Sequence, residues 1–148
     1  LESLKQSMHP GGTYAALVPS RESSEELFSF LVAAGVDNLE DSDEYHCTII
    51  YSKNPCPDII NEDFGIPCGA IPKGFSKFGK DEDTLVLEIY CPNALKLEKL
   101  FKEKYNATSD FHEYKAHITV AKNYNKPLPE LIPEFNIEFT GMMVEELG

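Results

Sequence analysis

Tryptophan is absent from this 148-residue chain, so any broad aromatic surface has to come from its 9 Phe and 7 Tyr. Cysteine is sparse, with Cys47, Cys56, Cys68 and Cys91 the whole set. They lack the paired C-x-x-C spacing of a zinc site and are too few for a disulfide scaffold, which leaves reduced thiols. Basic residues are outnumbered, 13 Lys and Arg against 25 Asp and Glu, for a net charge of −12. Long nucleic acid is a polyanion whose affinity rests on basic surface and counterion release, so it is excluded as a partner. A small anion needs only local positive potential, which Lys53, Lys115, Lys122 and Lys126 are spaced to supply. No apolar run is long enough to cross a bilayer, and residues 1–12 contain no apolar segment of the signal-peptide kind. The expectation is one domain, 1–148, with 42% hydrophobic residues for a core and no membrane partner.

Hydrophobic periodicity sets out the elements. Thr13 to Val18 reads as a strand with Tyr14, Ala16 and Val18 on one face. Ser23-x-x-Glu26 has the form of a capping box, followed by Leu27, Phe28, Phe30, Leu31 and Ala34 at helical spacing up to Gly35. An acidic loop leads to a β-branched run at His46. Asn54 to Pro72 holds four prolines and two glycines, so it reads as a long connection. Gly74 to Gly79 reads as a short strand and Thr84 to Cys91 as a longer one. Pro92 suits a helix N1 position, and Leu95, Leu97, Leu100, Phe101 and Tyr105 carry that helix to about Asn106. A second β-branched run starts at His117. A proline-rich loop to Pro133, a strand from Phe135 to Thr140 and an acidic tail complete the chain.

The organising feature is a repeat. His46-Cys47-Thr48-Ile49-Ile50-Tyr51 returns as His117-Ile118-Thr119-Val120-Ala121-Lys122, each copy on an expected strand. Residues two apart on a strand share a face with Cα atoms about 6.5–7 Å apart, so His46 and Thr48 point together, as do His117 and Thr119. Each copy follows a strand and a helix. This element-level duplication predicts an α+β fold of two pseudo-symmetric strand-helix-strand halves, with the motifs across a shared cleft. Cys47 points to the opposite face as a buried small hydrophobe.

The pair HxTxxY and HxTxxK resembles the 2H phosphoesterase superfamily, named for its two HxT or HxS motifs. The resemblance implies a bilobal fold with antiparallel sheets lining a central cleft and helices outside. It implies phosphodiester cleavage without cofactor, and within the superfamily the chain is similar in size and motif pair to the phage anti-CBASS nucleases, which destroy cyclic di- and trinucleotide alarms. The acidic composition agrees with such a small cyclic nucleotide substrate. The implied location is the cytoplasm, the host's if the source is viral.

The chemistry also follows from residue types. Imidazole titrates near pH 6.5, so one histidine serves as base and the other as acid. The base takes the proton of a ribose 2′-OH, which attacks the adjacent phosphorus, and the acid protonates the departing 5′-oxygen. Thr48 and Thr119 donate to the non-bridging oxygens. No metal is required. For holding the bases, Tyr14, Phe75 and Phe78 are candidates for stacking, Lys122 for phosphate, and Glu145 or Glu146 for a base edge. RNA 2′,3′-cyclic or 2′-5′ oligoadenylate cleavage, a binding module without catalysis, and a metal pair with His9 or His112 remain open, as does the oligomeric state.

Overall fold

In the computed structural model, which describes residues 11–109 and 113–147, six strands and two α-helices form an α+β fold. The strands are Thr13–Pro19 (β1), Cys47–Ser52 (β2), Cys68–Phe78 (β3), Thr84–Tyr90 (β4), His117–Ala121 (β5) and Ile137–Glu146 (β6). Arg21–Ala33 (α1) lies between β1 and β2, and Pro92–Tyr105 (α2) between β4 and β5. The open antiparallel sheet runs β2-β1-β6-β3-β4-β5. The duplication is visible in that order, since β2-β1-β6 is mirrored by β5-β4-β3. The third strand of each repeat crosses over. The β3 strand follows the first motif yet pairs along most of its length with β4, and β6 follows the second motif yet pairs with β1. Residues Cys68–Ala70 and Ile137–Phe139 join the lobes.

Strand alternation divides the sheet into two faces. Ala15, Leu17, Cys47, Leu85, Leu87, Ile89 and Ile118 turn toward the helices, where Leu27 and Leu31 of α1 and Leu97 and Phe101 of α2 complete the main core. Tyr14 and Ala16 turn the other way, into a smaller cluster with Leu147, Tyr51 and Met143. Helices thus lie outside, and the opposite sheet face is left to line the cleft.

Several boundaries differ from the sequence expectation. The first helix begins earlier, capped by Ser20, whose side chain accepts from the Ser23 amide at 3.1 Å. Ser23 is inside the first turn because its hydroxyl has another task, accepting the Glu138 amide of β6 at 2.9 Å. The β3 strand extends through Pro72, which a shift of register between Pro72 and Gly74 accommodates, as a bulge tolerates a missing amide. The expected acidic tail is the C-terminal half of β6, paired with β1 from Glu146 at Thr13 to Gly141 at Val18. Pro92 does open α2, which ends on left-handed Asn106. His9 and His112 lie outside the described residues. No helix among the described residues is long and apolar enough to cross a membrane.

Candidate active site

The two motif strands are at opposite ends of the strand order, yet the sheet curls until they touch. The segments leading into and out of them make the join. Leu39 bridges to Ala121, the Glu40 amide donates to Val120 O at 2.8 Å, and the Tyr114 hydroxyl donates to Thr48 O at 2.7 Å. Residues far apart in sequence are thereby gathered into one site.

Each histidine is held in the same way. His46 Nδ1 lies 2.8 Å from Glu44 O, and His117 Nδ1 lies 2.7 Å from Lys115 O, the carbonyl two residues back in both cases. A carbonyl can only accept, so Nδ1 carries the hydrogen and Nε2 is left to exchange protons.

The strands also share a bulge. Ala15 pairs with Ile50 and Ala16 with Thr48, which leaves Ile49 extra; Leu85 pairs with Ala121 and Val86 with Thr119, which leaves Val120 extra. Ile49 and Ile50 are both buried, as are Val120 and Ala121. Two successive residues therefore turn to the core, and the alternation restarts in the other phase. Without the bulge, the third residue after the threonine would leave the histidine's face. With it, Tyr51 returns to the side of His46 and Thr48 and packs edge-on against Tyr14, ring centroids 6.2 Å apart. Lys122 occupies the same step of the second copy, its Nζ 3.5 Å from Glu40 Oε1. The bulge explains the two unspecified positions in HxTxxY and HxTxxK.

Neighbours differ between the halves. In the first, Tyr14 is only 4% exposed, its hydroxyl 2.9 Å from Thr48 Oγ1 and its ring edge-on to His46 at 6.2 Å. Burial pushes its hydroxyl pKa up to about 12, so it stays a neutral hydrogen-bonding group. Ala16, Leu147 and Met143 enclose the ring, a position from which it orients Thr48 and packs on His46. Glu145 pairs with Tyr14 across β1 and β6. In the second half, Phe78 lies edge-on to His117 with centroids 4.8 Å apart. Phe75 faces away and stacks on Phe30 in the main core. Of the four lysines, Lys126 is paired with Asp37 at 3.1 Å and Lys122 with Glu40.

His117 lies below the ordinary imidazole range, chiefly through burial, with the charge of His46 acting in the same direction and the Lys115 carbonyl and Glu88 carboxylate opposing. Cys47 is fully buried and pushed up to about 12 by desolvation, so it is a thiol packed behind the motif. Among the described residues, no group of three His, Cys, Asp or Glu side chains is placed to hold a metal ion.

A family model described as anti-CBASS protein Acb1 matches residues 11–148. The chain belongs to that family. Its fold is shared with 2H phosphoesterases at low identity. TT0787 of Thermus thermophilus superposes with a TM-score of 0.64 at 14% identity, over 90% of this chain and 86% of the other. E. coli LigT, in complex with 3′-AMP, gives 0.61 at 12% identity over 91% and 86%. A further structure described as a phosphoesterase gives 0.64 at 11% identity over 91% and 87%. No curated protein sequence matches the chain. As an Acb1 family member it is a phosphodiesterase with an anti-CBASS role. Sequence reasoning missed Glu88 and Ser76, whose hydrogen bond is formed beside His117. Alternation along Thr84 to Tyr90 could have given the face of Glu88, but not its partner.

Proposed function

We propose that this protein cleaves the 3′-5′ phosphodiester bonds of small cyclic nucleotides, cyclic di- or trinucleotide messengers such as cyclic GMP-AMP, and so blocks host CBASS signalling. The observation that carries it is the pair of imidazoles, each with Nδ1 committed to a backbone carbonyl and Nε2 available, close enough for one charge to act on the other. One takes the proton of the ribose 2′-OH as that oxygen attacks phosphorus, and the other protonates the departing 5′-oxygen. The product is a 2′,3′-cyclic phosphate, which water opens with the roles reversed. Thr48 and Thr119, on the same faces as their histidines, donate to the non-bridging oxygens where charge accumulates. No step requires a metal.

The net charge of −12 favours a substrate with few phosphates over a long polymer. The LigT fold accommodates 3′-AMP in its own crystal structure, which supports a nucleotide with phosphate on the ribose 3′ side. Phe78 beside His117 is suited to pack on a base, Lys122 to reach a phosphate once released from Glu40, and Glu145 to accept from a base edge. Tyr14 serves the site through Thr48. The reading is tested by a panel of cyclic dinucleotides, cyclic trinucleotides, 2′-5′ oligoadenylate and RNA 2′,3′-cyclic ends in excess EDTA. Cyclic nucleotides should be cleaved fastest, and His46→Ala and His117→Ala should each lower the rate about 10²–10⁴-fold while remaining folded. Near-wild-type turnover in either variant refutes the mechanism.

A further inference from the structure

The pseudo-symmetry that makes the two histidines alike also shows where they differ. Matching β1 to β4, β2 to β5 and β6 to β3 aligns Ala16 with Val86, since each pairs with the motif threonine. The same match aligns Met143 with Ser76, since these pair with Ala16 and Val86 on the inner side. Two residues further along, Val18 pairs with Gly141, and Glu88 pairs with Gly74. The backbone is therefore the same in both halves, down to a glycine opposite each of these residues. The side chains are not. The first half carries valine and methionine where the second carries glutamate and serine, and Ser76 Oγ donates to Glu88 Oε2.

Glu88 pairs directly with His117 across β4 and β5. Directly opposed residues of an antiparallel pair share a face with Cβ atoms about 4.5–5.5 Å apart, so the carboxylate stands beside that imidazole. Among the described residues, the remaining groups around His117 are Phe78 and Ser76 on β3, His46 and the buried Cys47 thiol on the β2 side, and the Lys115 carbonyl on Nδ1. Glu88 is the anionic side chain among them. The β1–β2 ladder ends at the Leu17 to Cys47 pair, and Val18 and His46 are the next residues of the chain beyond it.

We propose that Glu88, fixed by Ser76, is a positioning residue that stabilises the protonated form of His117, and that this makes His117 the base and His46 the acid of the first step. This rests on the two-histidine mechanism above. The 2′-OH proton passes to His117 Nε2 as the 2′-oxygen bonds to phosphorus, and the P–O5′ bond breaks as His46 gives its proton to the leaving oxygen. Because the imidazolium at His117 forms in a partly buried place, a fixed carboxylate beside it lowers the cost of that charge. On the His46 side the matching positions are valine and methionine, and the Glu145 carboxylate of β6 stands opposite Tyr14 rather than opposite the histidine, which suits a group that must release its proton.

Two experiments test this. In the first, a cyclic dinucleotide carries sulfur in place of the 5′ bridging oxygen, so the leaving thiolate needs no acid. His46→Ala should recover about 10²-fold or more of its lost rate on this substrate, and His117→Ala should recover none. Recovery in His117→Ala alone reverses the assignment, and equal behaviour of the two variants refutes it. If both variants cleave the ordinary substrate at the wild-type rate, the two-histidine reading itself has failed, a separate outcome. In the second, the imidazole resonances are followed by NMR against pH without substrate. Glu88→Gln should move the His117 titration to lower pH. The acid limb of kcat should move with it, KM should change little, and Glu88→Asp should restore part of the shift. Ser76→Ala, which frees the carboxylate while leaving its charge, should give a smaller shift in the same direction. An unmoved His117 titration in folded Glu88→Gln overturns the role of Glu88.

Discussion

Replacing Tyr14 separates two roles for a tyrosine beside the proposed nucleotide site, a platform for a base or a support for the Thr48 hydroxyl. The ring is 4% exposed and enclosed by Ala16, Leu147, Met143 and Tyr51, with edges against His46 and Tyr51. Truncation to alanine removes a buried aromatic, which costs about 3–5 kcal/mol. At about 2–4 °C per kcal/mol for a domain of this size, Tyr14→Ala should melt roughly 6–20 °C below the wild type. Tyr14→Phe keeps the ring and removes only the hydroxyl 2.9 Å from Thr48 Oγ1. Its cost is one net hydrogen bond, about 0.5–1.5 kcal/mol, and if the bond orients Thr48 toward the phosphate, the same energy is about a 2- to 12-fold loss in kcat. Thermal melts of both variants, with kcat and KM of Tyr14→Phe on a cyclic dinucleotide, check the reasoning. A Tyr14→Ala protein that melts with the wild type but binds nucleotide weakly would refute it and make the ring a stacking surface.

Three further outcomes are expected. His117 lies below the imidazole range in the folded state, so between that value and the ordinary one the unfolded chain binds more protons. Stability should therefore rise with pH through this window, and His117→Gln should flatten the rise in urea titrations from pH 5 to 7; an unchanged slope would show that other groups set it. A substrate with 2′-deoxyribose at the cleaved position should bind and resist cleavage, as seen by calorimetry beside product analysis, whereas efficient turnover would make water the nucleophile. Phe78→Ala, which removes a ring 4.8 Å from that of His117, should raise KM about 5- to 150-fold if the ring carries roughly 1–3 kcal/mol of base stacking; an unchanged KM would leave it a wall of the His117 pocket.

What was legible in the sequence was local. His46 and His117 identify themselves by repetition, and Thr84 to Tyr90 and the Pro92 helix by their periods, because each depends on residues within one element. What was not legible depends on register. Gly141 to Glu146 shows no alternation that separates strand from tail, and it is a strand because β1 offers a full edge for it. Ser20 and Ser23 are equally good caps in isolation, and the choice is made by Glu138, 115 residues beyond Ser23. Tyr14 is a stacking candidate by residue type, and only the fold shows Leu147 from the far end of the chain packed in the same cluster. Phe75 and Phe78 looked alike as aromatic residues three apart, and the strand's alternation sends one to Phe30 and the other to His117.

The crossed third strands decide why the duplicated halves can take different roles. The flank of His117 is supplied by β3, which follows the first motif, and the flank of His46 by β6, which follows the second. Neither repeat makes a complete half-site from its own residues. A substitution in β3, such as at Ser76 or Phe78, acts on the second histidine, and one at Met143 or Glu145 acts beside the first. The bulge after Thr48 and Thr119 fixes backbone geometry equally in both motifs, so the histidines can keep identical anchors while their surroundings change independently. Two imidazoles on the same backbone would otherwise be equivalent, so which one acts as base and which as acid rests on what surrounds each of them. The sheet order lets those surroundings differ, since Glu88 stands opposite His117 where the first half has valine, and burial rather than that carboxylate sets the direction in which His117 departs from the ordinary range.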